Sequence, residues 1–322
     1  MPLSEFALIE RYFRNCGFAR QDVRVGVGDD AALVTCSSGA GLAVAIDTLV
    51  AGVHFPHDSP PESIGHRVLA VNLSDLAAMG ARPAWALLAV SLPSVDERWL
   101  EGFSAGFCAL AQAHEVALVG GDTTAGPLTV TVSILGHVPV TTGLLRSGGH
   151  PGDLLFVSGT PGDAAAGLAL EQSRLEAAGD AALYLRQRFL YPSPRVALGD
   201  GLRGCASACI DVSDGLLGDA GKLAQASGCG VAIAIDEVPV SAALVSALGL
   251  QRARELALCG GDDYELCFSV PAAQLVRLQH NLPASEWGYT CIGRLTQAPG
   301  TVVTRGGRVI EFAHSGYDHF AS

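Results

Sequence analysis

Residues 84–121 decide the fold class of this chain: they read AWALLAVSL (84–92), PSVDERWLEGFSAGFCALAQAHE (93–115) and VALVGG (116–121). The first and last segments are short apolar runs of strand length. The middle segment, from Asp96 to His114, is long enough for a helix of about five turns. A strand, a helix and a second strand in this order predict an α/β domain.

The same alternation extends toward the amino end. Strands are predicted at VRVGV (23–27) and GLAVAID (41–47), followed by a helix from about Glu62 to Met79. Gly80 is placed to cap this helix, and Pro83 just beyond it prevents its continuation.

The carboxyl half repeats this organisation. A strand at LTVTVSILGHV (128–138) leads to a linker rich in Thr, Gly and Ser over residues 139–151. Further strands are predicted at DLLFVSG (153–159), CIDVSDG (209–215), GVAIAI (230–235) and YELCFSV (264–270). We therefore expect two α/β domains, an amino-terminal domain over 1–140 and a carboxyl-terminal domain over 150–322.

Two short acidic patterns recur at nearly equal spacing. Ser74-Asp75 is followed by Gly121-Asp122, and Ser213-Asp214 is followed by Gly261-Asp262. This indicates either an internal repeat or a coincidence in a glycine-rich chain. A true repeat predicts carboxylates at equivalent ends of strands or helices in two similar domains.

The composition bounds the class of protein. With 322 residues, 49% hydrophobic and 16% charged, the chain can bury a large core and is not expected to be disordered or fibrous. Its beginning, MPLSEFALIERYFRN, lacks the pattern of a signal peptide, and no segment reaches roughly 18 apolar residues, so we expect a cytoplasmic protein without a membrane span. The net charge of -12 argues against nucleic acid as a partner.

Cysteine and lysine usage exclude several kinds of site. The nine cysteines form no C-x-x-C pair, which argues against a zinc or dithiol site and favours free buried thiols. Lys222 is the only lysine, and its surroundings, GDAGKLA, do not match a P-loop. Because P-loop enzymes and protein kinases both use a lysine on the phosphates, metal ions and arginine would have to bind ATP here.

Aspartates stand at the ends of the apolar segments. Six of them follow or interrupt predicted strands: Asp29, Asp30, Asp47, Asp122, Asp211 and Asp214. Each alone could form a turn or cap a helix, whereas together they supply the oxygen ligands that suit Mg²⁺. The sequence thus indicates several Mg²⁺ ions on one polyphosphate.

Asp75 is expected on the buried face of the helix that begins near Glu62. Val68, Val71 and Asp75 are spaced by three and four residues, which places them on one face of a helix. A buried carboxylate needs a compensating cation, which is either a metal ion or an arginine such as Arg67 or Arg82.

A dinucleotide site is the first alternative to a metal site. Gly26 to Ala31 fits the G-x-G-x-x-A fingerprint, and Asp47 lies at a suitable distance for a ribose contact. The fingerprint requires a helix directly after the glycines, but only residues 31–41 separate them from the next strand. The connection is therefore expected to be a hairpin, which argues against an NAD enzyme.

The motifs taken together resemble those of the thiamine-monophosphate kinase family over nearly the whole chain. The segments that carry the resemblance are GVGDDAAL (26–33), DTLVAGVHF (47–55), LAVNLSDLAAMGARPAW (69–85), VGGDTT (119–124), RSGGHPGD (146–153), SGTPGDAAAGL (158–168), IDVSDGL (210–216), GGDDYEL (260–266) and GYDHF (316–320). The resemblance implies the two-domain α/β fold of aminoimidazole ribonucleotide synthetases, with mixed sheets and amino domains that pair into a barrel in a homodimer. It also implies ATP-dependent phosphorylation of thiamine monophosphate to thiamine diphosphate, the final step in making that cofactor.

The resemblance also assigns roles to individual residues. The implied metal ligands are Asp30, Asp47, Asp75, Asp122, Asp211 and Asp214. The implied ATP contacts are Gly121, Asp122, Arg146 and Ser213, and the implied contacts to thiamine monophosphate are His54, Asp262 and Tyr317. Family members often carry hydroxyl residues before the aspartate of the DTLV motif, whereas Ala45 and Ile46 offer no side-chain oxygen here.

Some of these residues also have ordinary structural explanations. His54 could lie on a surface loop, Arg146 could be a solvated linker charge, and Asp262 could cap a turn. Tyr317 could pack a terminal segment, although its aromatic face would suit a cationic thiazolium ring.

Two rival functions fit the same motifs. One is a sister enzyme, either an ATP-dependent cyclo-ligase acting on a ribonucleotide or a selenophosphate synthetase. The latter would use an amino-terminal cysteine with a lysine, and Cys16 has no lysine nearby. The other is a catalytically silent protein that binds metal through the same aspartates. ADP release that depends on thiamine monophosphate would distinguish the kinase from both.

Overall fold

The computed structural model describes residues 4–36 and 38–312. The chain divides into two compact units, which we name the amino unit (Met1–Leu76 with Ala81–Thr141) and the carboxyl unit (Ala77–Gly80 with Thr142–Ser322). Within the described residues, the helices up to Thr141 are α1 (Glu5–Tyr12), α2 (Pro61–Ala78) and α3 (Glu97–Ala113). The strands are β1 (Val23–Val25), β2 (Leu33–Val34), β3 (Ala40–Val50), β4 (Arg82–Leu92), β5 (Ala117–Ala125) and β6 (Thr129–Pro139).

A four-stranded mixed sheet in the order β3-β6-β4-β5 organises the amino unit. Strands β4 and β5 are connected through α3, as the sequence of residues 84–121 predicts, and the structure shows that they pair in parallel. Strand β6 returns antiparallel to both β4 and β3. Asp96 caps α3, because its carboxylate accepts hydrogen bonds from the backbone N–H groups of Arg98 and Trp99.

One face of this sheet is covered by helices, and the other is covered only in part, where the β1–β2 hairpin packs over Trp85. On β6, Val130, Val132 and Ile134 are fully buried, whereas the residues between them are only half-buried. This alternation places every second residue on the covered face, where Leu76 of α2 lies beside Gly136. We call the opposite side the open face.

Strands β3 and β5 are longer than their apolar segments predict. The expectation that Asp47 and Asp122 follow strand ends is wrong, because both lie inside strands. The strands continue through Thr48, Thr123 and Thr124, which are polar but β-branched and therefore suit a pleated sheet. The face of the sheet on which an aspartate lies therefore decides which site it can reach, more than its distance from an apolar run does.

The hairpin at the glycine-rich segment is not the predicted one, because β1 pairs with β2 in a separate sheet while β3 pairs with β6. Val23 of β1 pairs antiparallel with Val34 of β2, and Val25 pairs with Leu33. No helix occurs between β1 and β3 among the described residues, so the dinucleotide fingerprint lacks the crossover it requires.

The carboxyl unit contains a seven-stranded mixed sheet in the order β13-β12-β9-β11-β7-β10-β8. The strands are β7 (Leu154–Ser158), β8 (Ala208–Val212), β9 (Gly230–Ala234), β10 (Glu265–Val270), β11 (Tyr289–Thr296), β12 (Gly300–Arg305) and β13 (Arg308–Ile310). The helices are α4 (Asp163–Glu171), α5 (Gly179–Leu190), α6 (Val196–Leu202), α7 (Leu216–Ala226), α8 (Ala242–Leu248), α9 (Leu250–Cys259), α10 (Leu275–Asn281) and α11 (Ala284–Trp287).

The central strands of this sheet are buried on both faces. On β7, Leu155 and Val157 belong to one apolar cluster, while Phe156 between them belongs to another. Strand β10 divides in the same way, with Cys267 in the first cluster and Phe268 in the second. Burial on both faces explains why these segments read as continuous apolar runs without alternation.

The proposed internal repeat is not supported by the elements that carry it. Ser74 and Asp75 lie inside α2, whereas Ser213 and Asp214 lie in the loop between β8 and α7. Asp122 lies inside β5, whereas Asp262 lies in the loop before β10. The four positions are therefore not at equivalent ends of strands or helices.

The expectation of free buried thiols holds for only part of the cysteines. Cys16 and Cys108 form a disulfide with a Cα–Cα distance of 5.0 Å, which corrects the prediction for that pair. Of the free cysteines, Cys205, Cys209, Cys229 and Cys267 are buried, whereas Cys36 and Cys291 are exposed. Spacing could not reveal the disulfide, because its partners are 92 residues apart and meet only in the folded amino unit.

Among residues 4–36 and 38–312, no helix combines the length and the apolar character needed to cross a membrane.

Candidate functional site

A cavity of about 940 Å³ lies on the open face of the amino unit. Its floor includes Ile46, Leu87 and Thr131, one wall is the β1–β2 loop from Val27 to Ala32, and α1 contributes Ile9. This volume falls near the upper end of the roughly 300–1,000 Å³ that is typical of ligand pockets.

Asp122 belongs to the floor of this cavity because of the strand register. It lies opposite Ala89 of β4, Ala89 lies opposite Thr131 of β6, and Thr131 lies opposite Thr48 of β3. Residues opposite one another share a face of the sheet, so Asp122 is on the open face with the exposed Thr48. The register therefore brings this expected metal and ATP contact into the cavity.

The backbone conformation and the close neighbouring strand next to Asp122 require a glycine at position 121. Its φ is +155°, and a Cβ at this position would overlap the carbonyl oxygen of Leu88 on the neighbouring strand. Any larger residue would push β5 away from β4, so the expected ATP contact at Gly121 is also a point of close strand approach.

Asp29 and Asp30 add two carboxylates to the cavity wall that the β1–β2 loop forms. Both are exposed at the tip of the β1–β2 hairpin, and Asp29 Oδ1 accepts a hydrogen bond of 2.8 Å from the Asp30 N–H. With Asp122 they make three carboxylates around one cavity. The cavity therefore joins a hairpin and a sheet edge that are far apart in sequence.

The hairpin is attached to the sheet through Asp22 at its base. The Asp22 carboxylate accepts hydrogen bonds from Arg20 Nε and Nη2 at 2.9 and 2.7 Å, and one of 3.1 Å from Trp85 Nε1. These hydrogen bonds from Arg20, helped by the bond from Trp85, hold the pKa of Asp22 below its ordinary value although burial raises it. Since Trp85 also lines the cavity, this contact fixes the hairpin next to the cavity floor.

The residues around this cavity suit a hard cation. Its described lining contains carboxylate, hydroxyl and backbone oxygens and no histidine or cysteine, which is the donor chemistry that Mg²⁺ prefers. Within the described part of the chain, no three His, Cys, Asp or Glu side chains converge tightly enough to hold a metal by themselves. Mg²⁺ needs only one or two carboxylates, because water and substrate phosphate complete its shell.

Two of the expected metal ligands lie on a different side of the amino unit. Asp47 pairs with the buried Val132, so it is on the covered face of the sheet and not in the cavity. Asp75 is half-buried on α2, between the buried Ser74 and Leu76. The structure therefore separates Asp47 and Asp75 from the cavity carboxylates, and the metal assignment of each stays a prediction.

In the carboxyl unit, a second set of expected site residues meets where β8 ends and β10 begins. Asp211 is buried on β8, and the loop after this strand carries Ser213 and Asp214. The N–H of Asp262 donates a hydrogen bond of 2.8 Å to the Ser213 carbonyl oxygen. The expected ATP contact Ser213 and the expected acceptor contact Asp262 are thus neighbours.

Lys222 is a charged group at this position for which the sequence indicates no role in the site. Its Nζ lies 2.5 Å from Asp214 Oδ2 and 2.8 Å from Asp219 Oδ1. Burial lowers the pKa of Lys222, but its bonds to the two carboxylates outweigh burial and raise it. The spacing of Asp219 and Lys222, three residues apart on α7, is the signal that could have indicated this ion pair.

Buried Asp219 fixes the loop that carries Asp214. Its Oδ2 accepts hydrogen bonds of 3.0 Å from the N–H groups of both Ser213 and Asp214. The Asp219 carboxylate therefore fixes the backbone of the loop, and Lys222 fixes the Asp214 side chain.

The remaining expected contacts lie elsewhere. His54 is in the turn after β3, where its Nδ1 accepts a hydrogen bond of 3.0 Å from the Val50 N–H, so Nε2 carries the proton. Arg146 is exposed, and its carbonyl oxygen accepts a hydrogen bond of 3.0 Å from Ser227 Oγ. Tyr317 lies outside the described residues.

Known proteins match the chain over most of its length. The model of the AIR synthase related protein N-terminal domain matches residues 28–138, and that of the C-terminal domain matches residues 150–305. The thiamine-monophosphate kinase of Salmonella typhimurium is 47% identical over 324 residues, which cover 100% of both chains. That of Escherichia coli K12 is 48% identical over 325 residues, with 100% of both chains covered.

Solved structures agree with these matches. The crystal structure of thiamine-monophosphate kinase from Stenotrophomonas maltophilia has a TM-score of 0.85 and 45% identity, and covers 96% of this chain and 99% of that one. The structure of AaThiL complexed with AMPPCP and TMP has a TM-score of 0.78 and 32% identity, and covers 91% of each chain.

Proposed function

The chain belongs to the AIR synthase related family and, within it, to the thiamine-monophosphate kinases, and we propose that it transfers the γ-phosphoryl group of ATP directly to the phosphate of thiamine monophosphate. Its substrates are ATP and thiamine monophosphate, and its product is thiamine diphosphate. The observation that carries this function is the identity of 47% over the full length of a kinase of this name.

The amino-unit cavity is the proposed site for the nucleotide phosphates. It combines Gly121, where the backbone is exposed without a side chain, with three carboxylates at its edge. A bare polyphosphate would be repelled by these carboxylates, so Mg²⁺ is the proposed cofactor and Asp30 and Asp122 are its proposed ligands in this cavity. When bound, Mg²⁺ neutralises phosphate charge in the transition state.

The roles of the other expected residues are part of the same proposal. Asp47, Asp75, Asp211 and Asp214 are proposed as further metal ligands, and Arg146 and Ser213 as ATP contacts. His54, Asp262 and Tyr317 are proposed contacts of thiamine monophosphate. Arg146 is exposed and tethered only through its backbone in the described contacts, which suits a cation that reaches a phosphate.

The chemistry of the acceptor removes the need for a protein base. A phosphate monoester has a second pKa near roughly 6, so its attacking oxygen is already largely ionised at neutral pH. The chain therefore has to position two anionic groups in line and screen their charge, without removing a proton. Inversion at a chiral γ-phosphorus is the expected stereochemical result of one direct step.

A homodimer formed through the open face is also part of the proposal. Val44 and Ile46 on β3 are 60% and 66% exposed, and Leu87 on β4 is exposed on the same face, across Ser133 of β6. Such a patch of apolar side chains on a sheet face is typical of a protein interface. Ile46 and Leu87 also line the cavity, so a second copy on this face would close it.

The decisive experiment is a coupled assay of ADP release. We expect release that requires both thiamine monophosphate and Mg²⁺, together with formation of thiamine diphosphate. Aminoimidazole precursors and selenide are the control substrates for the sister enzymes. ADP release with either control, and none with thiamine monophosphate, would overturn the proposal.

A further inference from the structure

The loop that carries Asp262 has an unusual backbone. Asp262 has a φ of +71° and Tyr264 a φ of +53°, and neither is glycine. This left-handed conformation is unfavourable for a residue with a side chain, so it persists only where the surroundings enforce it. Strain of this kind concentrates at sites that must hold a side chain in one orientation.

Hydrogen bonds on both sides of the loop enforce this backbone. The N–H of Asp262 donates to the Ser213 carbonyl oxygen at 2.8 Å, and the N–H of Tyr264 donates to that of Val212 at 2.9 Å. Between them, Asp263 is fully buried, and its carboxylate accepts hydrogen bonds of 2.6 Å from the Gly162 N–H and 3.2 Å from the Ala164 N–H. The loop is thus fixed to β8 and to the start of α4.

The fixed backbone brings two side chains of the loop together. The hydroxyl of Tyr264 donates a hydrogen bond of 3.2 Å to Asp262 Oδ1, and both residues are half-buried. A hydrogen bond to a charged acceptor is stronger than one between neutral groups, so it can select one orientation of a carboxylate.

We propose that Tyr264 is a positioning residue that holds the Asp262 carboxylate in the orientation that binds thiamine monophosphate. The inference rests on the proposed function, in which Asp262 contacts this acceptor. The negative charge of Asp262 complements the cationic thiazolium of the acceptor, and the Tyr264 hydroxyl prevents that carboxylate from rotating away before the acceptor arrives. Binding then does not have to order this side chain, which lowers its entropic cost.

The variant Tyr264→Phe tests the inference, because it removes one hydroxyl and keeps the ring. We expect the KM for thiamine monophosphate, and its calorimetric Kd in the absence of ATP, to rise about three- to tenfold, in line with the loss of one such hydrogen bond. The KM for ATP should stay within about twofold of its original value.

Tyr289→Phe is the matched control in the same unit. The Tyr289 hydroxyl is buried and donates a hydrogen bond of 2.6 Å to the Leu282 carbonyl oxygen, away from Asp262. We expect this variant to lower Tm without changing either KM. If Tyr264→Phe behaved like the control, with lower Tm and unchanged Kd for the acceptor, Tyr264 would be merely structural and the inference would be overturned.

A double-mutant cycle with Asp262→Ala separates this inference from the proposed function. We expect Asp262→Ala to weaken acceptor binding and Tyr264→Phe to add nothing further in that background, because the hydroxyl acts through Asp262. Equal effects of Tyr264→Phe in both backgrounds would overturn the inference alone. An Asp262→Ala variant with unchanged acceptor Kd would overturn both the assigned role of Asp262 and the inference, even if ADP release showed that the chain is the proposed kinase.

Discussion

Single residues decide how charge is buried in the carboxyl unit, and Glu265 is the clearest case. Its carboxylate is fully buried at the start of β10. It accepts hydrogen bonds of 2.6 Å from Arg195 Nε and Nη2, one of 2.8 Å from Arg188 Nη2 and one of 2.5 Å from Ser158 Oγ. Burial raises the pKa of Glu265, but Arg195 and Arg188 outweigh burial and the net pKa is lowered.

Replacing Glu265 by Gln should therefore be costly, and the cost should depend on pH. At neutral pH we expect a loss of about 3–5 kcal/mol in the free energy of unfolding, because two arginines lose a buried partner. Since the folded pKa of Glu265 is lowered, its stabilisation is present above its ordinary value of 4.5 and is lost as the pH falls through the folded value.

Urea unfolding followed by circular dichroism at pH 7 and below pH 4.5 measures this difference. The difference in the free energy of unfolding between the original protein and Glu265→Gln should be smaller at the lower pH. Glu171→Gln is a control, because the Glu171 ion pair with Arg186 is partly exposed and should contribute less than about 1 kcal/mol. A gap for Glu265→Gln that did not change with pH would contradict the role of its charge.

Lys222 permits a test of the metal assignment of Asp214. If Asp214 binds Mg²⁺, the Lys222 ammonium and the metal compete for one carboxylate. Lys222→Met should then lower the Mg²⁺ concentration for half-maximal activity by about two- to fivefold, since partly exposed pairs contribute up to about 1 kcal/mol. A raised KM for ATP with unchanged Mg²⁺ dependence would instead show that Lys222 binds nucleotide phosphate.

At the scale of single residues, the sequence indicated which groups carry charge but not what they contact. The sequence identifies Asp30 and Asp122 as site candidates because both lie in polar interruptions of apolar segments. In the structure the two residues line the same cavity. Asp47 has the same sequence signal and lies on the opposite face of the sheet. Successive residues of a strand lie on opposite faces of the sheet, so a shift of one residue decides on which face an aspartate lies. The ends of these strands are polar, so the sequence there does not show which residues face the core.

Among the elements, the packing of α2 on α3 depends on two glycines. A Cβ at Gly65 would overlap the Phe103 carbonyl oxygen, and a Cβ at Gly106 would overlap the Glu62 carbonyl oxygen. The two helix backbones are therefore in direct contact, and no side-chain rearrangement can make room between them.

Gly106→Ala should destabilise the amino unit by at least about 2 kcal/mol, although alanine favours helices by roughly 1 kcal/mol over glycine. Gly102→Ala, one turn earlier on α3, is the matched control, because its Cβ would meet the Pro61 side chain at 3.1 Å and the Glu62 backbone nitrogen at 3.5 Å, without the overlap found at Gly106. Thermal unfolding of the two variants measures the difference. Equal Tm values would contradict the close approach of α2 and α3.

Elements with an apolar run or a clear end signal were predictable from the sequence, and glycine-rich elements were not. Helix α2 is expected from about Glu62 to Met79 and spans Pro61–Ala78, since Gly80 and Pro83 mark its end in the sequence. The segment from Gly300 to Ile310 is not identified as strands β12 and β13, because its glycine-rich sequence gains strand structure by pairing: β12 pairs with β9, and β13 pairs with β12. Tertiary pairing overrides local preference in such segments.

For the whole molecule, the exposed apolar side chains of the open face predict self-association. Ile46→Lys should convert a dimer into a monomer, with a rise of at least about 100-fold in the dimer dissociation constant, because it would bury an unpaired charge at the interface. Sedimentation equilibrium measures this constant. Val276→Lys is the control, since Val276 is 79% exposed on α10.

The sedimentation result also bears on catalysis, because Ile46 lines the cavity. We expect loss of the dimer and loss of ADP release to occur together in Ile46→Lys. A native protein that sedimented as a monomer at micromolar concentration would contradict the proposed dimer.

The ion pair of Lys222 has a practical consequence for labelling chemistry. Because the chain contains no other lysine, an amine-reactive ester can acylate only this side chain and the terminal α-amino group. The ammonium is held between Asp214 and Asp219, so its reaction rate depends on whether those carboxylates retain it. At this side chain a fluorescent ester would attach beside the proposed site, and the rate of its incorporation at Lys222 would report, without any turnover, when Mg²⁺ or a nucleotide displaces the lysine from Asp214.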